Sequence, residues 1–202
     1  IPIGKFEGVQ ERLGRMAGIA YELEATRRFT CAGLDHGHAP AIVSAIVKSQ
    51  ATYRMRNAVD DAMDIHGGKA IMDGPLNYLG NVHRAVPIGI TVEGANILTR
   101  SLIIFGQGAI RAHPYLLAEI SAMQASDEMT ARREFDRAFA GHIGHFVRSF
   151  GRSWLRSWSA ARLAPAPKAG ANKTYFRQLS RYAATLAFTS EIAMLTLGGQ
   201  LK

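Results

Sequence analysis

The chain is poor in several things that would direct its reading. It has one cysteine, Cys31, in 202 residues. That excludes an intramolecular disulfide and a cysteine metal cluster, and it fits a reducing, cytoplasmic setting. No run of about 18 apolar residues occurs, so no membrane-spanning helix is expected. The first residues, "IPIGKFEGVQ", hold no basic segment followed by an apolar one, so no secretory signal is read there. They also hold no initiator methionine, and the chain is expected to be a piece of a longer protein. Acidic residues are scarce toward the end. Residues 1–126 carry 12 Lys/Arg against 11 Asp/Glu, whereas residues 127–202 carry 12 against 5. The net charge of +8 therefore sits almost wholly in the C-terminal part. Such a balance is compatible with an anionic lipid surface, a polyphosphate ligand or nucleic acid. No nucleic-acid recognition motif accompanies it, so no nucleic-acid partner is expected.

What is present is helical periodicity. Hydrophobic residues make up 48% of the chain, enough for a sizeable core. Phe6, Val9, Leu13, Met16, Ile19 and Leu23 recur at three- and four-residue steps and predict a helix over 5–35. "GLDHGHAP" (33–40) predicts a turn, and a second helix fits 40–65. "HGGKAIMDGP" (66–75) predicts a break. A short helix is expected from Pro75 to Arg84, then an extended approach "VPIGIT" (86–91), then a third long helix from Glu93 or Gly94 to about Arg111. His113-Pro114 marks a boundary. Helices are expected at 115–125, 128–160 and 173–197, with "APAPKAGAN" (164–172) as a linker. The chain reads as all-α.

Glu93 stands out as the one acidic residue between Asp73 and Glu119, among Ile88, Ile90, Val92, Ile97 and Leu98. Apolar surroundings disfavour a charged carboxylate and raise its affinity for a proton. Such a group suits a general base acting on a weakly acidic C–H where water is excluded. Gly94 beside it permits close approach of a ligand to the backbone and can donate its N–H. The plainer alternative is a helix-start glutamate facing the positive end of the helix that follows. "DIHGG" (64–68) is either a phosphate-facing pair of glycines or an ordinary helix stop. His36-x-His38 and His142-x-x-His145 have feasible metal spacings, but no carboxylate or cysteine joins either in a recognisable pattern, and no metal site is read from them. In "FVRSFGRSWLRSW" (146–158), Phe146, Phe150, Trp154 and Trp158 form one ridge, while Arg148, Arg152 and Arg156 form another on the opposite face. The ridge is either core-facing or laid on an anionic membrane surface.

The order helix, "DAMDIHGGKAI", spacer, "GITVEGANILTR", helix resembles the C-terminal helical domain of the acyl-CoA dehydrogenases. That family carries Q-x-x-G-G-x-G, a spacer, and Y-E-G-T-x-x-I-Q-R. "PIGKFEGVQ" (2–10) resembles the stretch that opens the same domain, and "TVEGANILTR" and "FGQGAIR" resemble the large bacterial fatty-acid-oxidation members with an extended C-terminal region. The resemblance implies a four-helix bundle over residues 1–113 followed by additional helices in an extension, 114–202. It implies an FAD-dependent oxidoreductase of fatty-acid β-oxidation that converts acyl-CoA to trans-2-enoyl-CoA. Glu93 matches the base that takes the α-proton, and Gly94 the residue adjoining the substrate. Asp64, Ile65, His66, Gly67 and Gly68 match a run that contacts FAD, usually that of a neighbouring subunit, and Ala95, Asn96 and Ile97 match a second FAD-contacting stretch. It further implies a medium- to long-chain acyl-CoA substrate, an electron-transfer flavoprotein as acceptor, a homo-oligomer, and a cytoplasmic location that allows peripheral contact with the inner membrane. Asp64 stands where the family has Gln, Ala70 where it has the third Gly, Ala95 where it has Thr, and Thr99 where it has Gln. Without the upstream domains the chain is expected to bind FAD weakly or not at all and not to turn over. The reading set against all this is a non-catalytic helical module that docks on a membrane or a partner through 146–158.

Overall fold

The structure, a computed structural model, describes residues 1–99 and 108–197. Among them the protein is all-α, with helices and turns and no strand. The chain divides into two compact units, Ile1–Phe105 and Gly106–Lys202.

In the first unit α1 (Glu7–Asp35), α2 (Ala41–His66) and α4 (Tyr78–Thr91) are the long helices, with the single turn α3 (Gly68–Ile71) between the last two. Helix α2 is the spine. Its pairings with α1 (Arg15 to Asp61, Glu22 to Arg54) and with α4 (Asp60 to His83, Lys48 to Ile90) run in opposite chain directions, so both neighbours are antiparallel to it. Val9, Met16, Ile19 and Leu23 are half-buried, yet α1 buries no residue fully, and Tyr21, Phe29 and Leu34 face solvent. The buried positions are small or polar: Val59, Ala62, Ala70 and Val86, with Ser49, Asp61, Asn96 and Thr99.

Three expectations are corrected in this unit. No helix begins at Pro75, and residues 86–91 are not extended. Helix α4 starts at Tyr78 because Asn77 caps it, accepting from the Gly80 N–H at 2.7 Å and donating to the carbonyls of Ala70 and Met72. A Cβ on Gly80 would lie 2.8 Å from the Asn77 side-chain nitrogen, so any larger residue there would displace the cap. The helix then continues through Pro87 to Thr91. Pro87 forfeits one backbone hydrogen bond, but Val86, 2% exposed, is packed in the core beside it. The "HGGKAIMDGP" break also contains α3, which was not foreseen. Gly67, at φ 57°, ends α2 and α3 starts at the next residue. The long helix expected from Glu93 to Arg111 is absent at its start. A turn occupies 92–95, α5 (Asn96–Leu98) follows, and residues 100–107, with the first three residues of "FGQGAIR", lie outside the described residues.

In the second unit α6 (Gly108–Ala112) and α7 (Leu116–Met123) precede α8 (Glu128–Trp158) and α9 (Lys173–Leu197). Asp127 caps α8 by accepting from the Thr130 N–H at 2.9 Å. The pairings Arg156 to Ser180, Phe150 to Phe188 and His142 to Glu191 make α8 and α9 antiparallel. Helix α8 does not turn its aromatic ridge into the core. Its buried positions are Ala138, Ser149 and Ser153, with His142 and His145 half-buried, while Phe146 and Phe150 touch Phe188 and the stacked Trp154 and Trp158 stay exposed. The basic ridge is split as well, since Arg156 donates to the Ser180 carbonyl of α9 at 2.9 Å. No described helix is long and apolar enough to cross a membrane.

Asp61 is the charged clamp of the first unit. It is buried on α2 and accepts from both Arg12 and Arg15 of α1, the former at 2.6 Å. The Arg15 guanidinium, with Arg12 beside it, holds the Asp61 carboxyl below the usual carboxylate range against the opposing pull of burial. A depressed carboxyl contributes stability that is present above its unfolded value, about 4, and is lost as pH falls through the folded one. The thermal midpoint of the first unit is therefore expected to fall on acidification below about pH 4. In Asp61→Asn it is expected to start roughly 5 °C lower and to lose most of that acid dependence, as read by circular dichroism melts across pH.

Candidate functional site

Val92 ends α4 with its N–H on the Ile88 carbonyl. The next two residues both take left-handed backbone conformations, Glu93 at φ 51° and Gly94 at φ 86°. For glutamate this is a costly conformation that persists only where the surroundings impose it. Here the surroundings do. Lys48 Nζ of α2 donates to the Gly94 carbonyl at 2.6 Å, to Asn96 Oδ1 at 2.8 Å and, more loosely, to the Ile90 carbonyl at 3.4 Å. Asn96 Nδ2 donates to Thr52 Oγ1 at 2.8 Å and to the Ser49 carbonyl at 3.3 Å. Thr99, buried, donates its hydroxyl back to the Gly94 carbonyl at 3.1 Å. A Cβ on Gly94 would meet that hydroxyl at 3.3 Å and could not easily adopt this φ. The turn is thus bound on both sides and Glu93 projects from it.

The apolar enclosure expected around Glu93 is not formed among the described residues. Glu93 is exposed, and Ile88, Val92, Ile97 and Leu98 are exposed with it. Adjacency in sequence does not enclose the carboxylate, because these side chains fan outward from a helix end and a turn. Sequence reasoning also missed Lys48, Ser49 and Thr52. They lie more than 40 residues from Asn96, and nothing local to them announces the pairing.

The structure brings Glu93, Gly94, Ala95, Asn96 and Ile97 together on one turn and sets Asp64 to Gly68 at the far end of α2. Lys48 and Gly67 are 19 positions apart on α2 and its cap, about 28 Å along the axis. Asn96 faces inward with its side chain fully engaged, so any flavin contact at this position falls to its backbone. Ile97 is exposed and Ala95 half-exposed. At the other end His66 Nδ1 bonds to the Ala62 carbonyl at 2.8 Å and Nε2 faces the Tyr78 hydroxyl, so both ring nitrogens are occupied. Asp64 is mostly exposed and lies 3.6 Å from Arg12, and Ile65 is half-buried. Gly67 and Gly68 form a bare ledge, since a Cβ on either would find nothing within 4 Å. A ledge of this kind fits close backbone approach by an extended ligand. An apolar hollow of about 450 Å³ lies between the end of α1 and the start of α2, lined by Phe29, His36, His38 and Val43 among others.

The second unit carries the other concentration of polar chemistry, around Glu191. It gathers His113, His142 and His145, and Glu119 joins from α7. For His142 burial opposes the charge, but hydrogen bonds to Glu119 and Glu191 prevail and raise its proton affinity above the ordinary imidazole value. Burial pushes His145 down. The His142/His145 pair does have carboxylate neighbours, 23 and 49 residues from His142, too far along the chain to read as a motif.

Truncating Asn96 is expected to test the anchoring of the Glu93 turn. Asn96→Ala leaves Lys48, Thr52 and the Ser49 carbonyl without their partner, and should lower the unfolding free energy by about 2–3 kcal/mol in chemical denaturation.

Comparison with known proteins supplies the family. Residues 1–106 match the model described as acyl-CoA dehydrogenase, C-terminal domain, and residues 110–202 the model described as acyl-CoA dehydrogenase, C-terminal, bacterial type. No solved structure matches the chain. A chain whose first unit presents a glutamate on a pinned turn after α4, and which these two models span almost end to end, belongs to the acyl-CoA dehydrogenase family.

Proposed function

We propose that this chain is the C-terminal part of an FAD-dependent acyl-CoA dehydrogenase of fatty-acid β-oxidation, with Glu93 as the base that removes the α-proton of the acyl-CoA thioester. The observation that carries the reading is the Glu93–Gly94 turn, because a carboxylate carried on a strained and firmly anchored backbone is the arrangement a positioned base requires. The Gly94 carbonyl is taken by Lys48 and Thr99, which leaves its N–H to meet the thioester carbonyl as negative charge builds there. When bound, FAD supplies the acceptor for the β-hydride. Backbone at 95–97 would adjoin it, and the Gly67–Gly68 ledge would receive an extended part of a flavin. The 28 Å between the two sets along α2 supports assigning them to different flavins, hence to a homo-oligomer. The open apolar residues around Glu93 support enclosure by substrate, flavin and the surfaces of the assembled enzyme, which would then exclude water from the base. A medium- to long-chain acyl-CoA is the proposed substrate and an electron-transfer flavoprotein the proposed acceptor.

In the full-length protein, Glu93→Gln is expected to lower the dehydrogenation rate by a factor of about 10²–10⁴ while FAD remains bound. Flavin bleaching by acyl-CoA in a stopped-flow experiment reads this directly. Bleaching near the parent rate would remove Glu93 from the role.

A second property rests on α8. The exposed, mutually stacked Trp154 and Trp158, with Phe150 on the same ridge and Arg148 and Arg152 also exposed, support peripheral contact with an anionic membrane from the cytoplasmic side. Flotation with anionic liposomes at low salt should carry the protein upward, and Trp154→Ser with Trp158→Ser should leave it at the bottom of the gradient.

A further inference from the structure

Helix α9 has two unlike long faces. The one turned to α8 carries Ser180, Phe188 and Glu191, which meet Arg156, Phe150 and His142. Ala184 and Glu191 are buried on that side. Two residues away is about 200° around a helix, and there the opposite face begins. It carries Tyr175, Leu179, Tyr182 and Leu186, which are 71%, 62%, 59% and 67% exposed. Thr189, Ala193 and Thr196 continue the same line, so the steps along it alternate between four residues and three. That alternation repeats every 3.5 residues, the pattern of a seam that packs lengthwise on another helix. None of the charged residues of α9, Lys173, Arg177, Arg181 and Glu191, lies on the seam or in the rows beside it, such as Phe176, Ala183 and Ile192. The core of a protein interface is depleted of charge in the same way. The seam threonines are already satisfied, since Thr189 donates to the Thr185 carbonyl and Thr196 to the Ile192 carbonyl, each at 2.8 Å. Their hydroxyls can be covered without a new partner.

The order of sizes along the seam selects the partner. Large side chains fill its first half and small ones its second. A parallel copy would set large against large and small against small. An antiparallel copy, in the register that places Leu186 against Thr189, also sets Tyr182 against Ala193 and Leu179 against Thr196. All three levels then pair a large side chain with a small one, which holds the helices at one separation. A surface that complements itself in this way is what a two-fold dimer requires. The area is sufficient as well. With about 150–250 Å² on a whole aromatic side chain, the aromatic and aliphatic members of the stripe offer roughly 600 Å² per copy, so pairing would bury about 1,200 Å² in all, within the range of specific interfaces. We propose that α9 pairs through this seam with α9 of a second copy of the chain, antiparallel, about a two-fold axis between Leu186 and Thr189. The inference does not rest on the role given to Glu93 or on the flavin contacts of the first unit.

The test uses the whole 202-residue chain in analytical ultracentrifugation. The double variant Leu179→Glu with Leu186→Glu should halve the sedimenting mass and raise the dissociation constant of the pair by more than about 100-fold. Both positions are exposed, so its circular dichroism should match the parent. Cross-linking reads the direction independently. With Cys31→Ser removing the native thiol, Thr189→Cys and Thr196→Cys are each treated with a short bis-maleimide. In the proposed register position 189 lies about 4.5 Å along the axis from its own copy, and position 196 about 25 Å. Thr189→Cys should therefore give a covalent dimer and Thr196→Cys at least about 10-fold less. Three results would overturn the pairing: a parent chain that sediments as a monomer; a mass unchanged by the double variant, including the case in which that variant loses flotation with anionic liposomes because the stripe lies on lipid; or equal cross-linking at 189 and 196, which marks a parallel partner.

Discussion

Asn96 donates two hydrogen bonds into α2 and accepts one from Lys48, and Lys48 in turn holds the carbonyl two residues earlier. Each member completes the other's hydrogen bonding, so the group resists piecemeal loss. A buried amide costs little when satisfied and a great deal when not. That asymmetry makes the segment after α4 adopt one path across α2, and the path forces Glu93 and Gly94 into the left-handed region. Most of what is proposed for the first unit depends on it. A glutamate on a free loop would sample many backbone paths, whereas the backbone that carries this one is held to a single path by α2.

Both units are organised in the same way. Each has a polar or charged centre, Asp61 with Asn96 in one and Glu191 in the other, surrounded by alanine, valine and serine, while many large apolar side chains remain outside. Buried polar groups of this kind contribute less net stability than apolar packing of equal volume, but they define one alignment of the helices. Large apolar side chains stay exposed on α1, around Glu93 and along α8. Those faces are where the proposed flavin, substrate and neighbouring subunits would find their contacts.

The helices were largely legible because their evidence is local. The spans of α1, α2, α7, α8 and α9 follow from periodicity and punctuation and lie within a few residues of expectation. Helix α4 was misplaced because proline at 75 looks like a helix start and proline at 87 like a stop, whereas the Asn77 cap and the burial of Val86 outweigh both. The aromatic ridge of α8 left two readings open, core-facing or laid on a surface, and sequence could not choose between them. Size and apolarity point Phe150 and Trp154 inward, yet Glu191 on α9 draws the histidine and serine side of the helix into the interior. At the candidate site, Glu93 and the two glycines could be found by motif. Lys48, Thr52, Glu119 and Glu191 could not, since each acts across dozens of residues through a contact that only the folded helices create.

The left-handed glutamate also bears on the residues that depart from the family pattern. Thr99 stands where the family has glutamine, and its hydroxyl is spent on the Gly94 carbonyl rather than directed outward. Ala95 stands where the family has threonine and offers no hydroxyl at all. The side chains of Asn96 and Thr99 are thus turned to the turn itself, and Ala95 has no polar group to offer a ligand beside Glu93. The recognition proposed at this edge would then rest on backbone N–H and C=O groups, whose positions are set by the turn rather than by rotamers. Such an arrangement tolerates change in the side chains but not in the backbone path. For that reason the decisive positions beside Glu93 are Gly94, which alone can follow that path without strain, and Asn96, which fixes it.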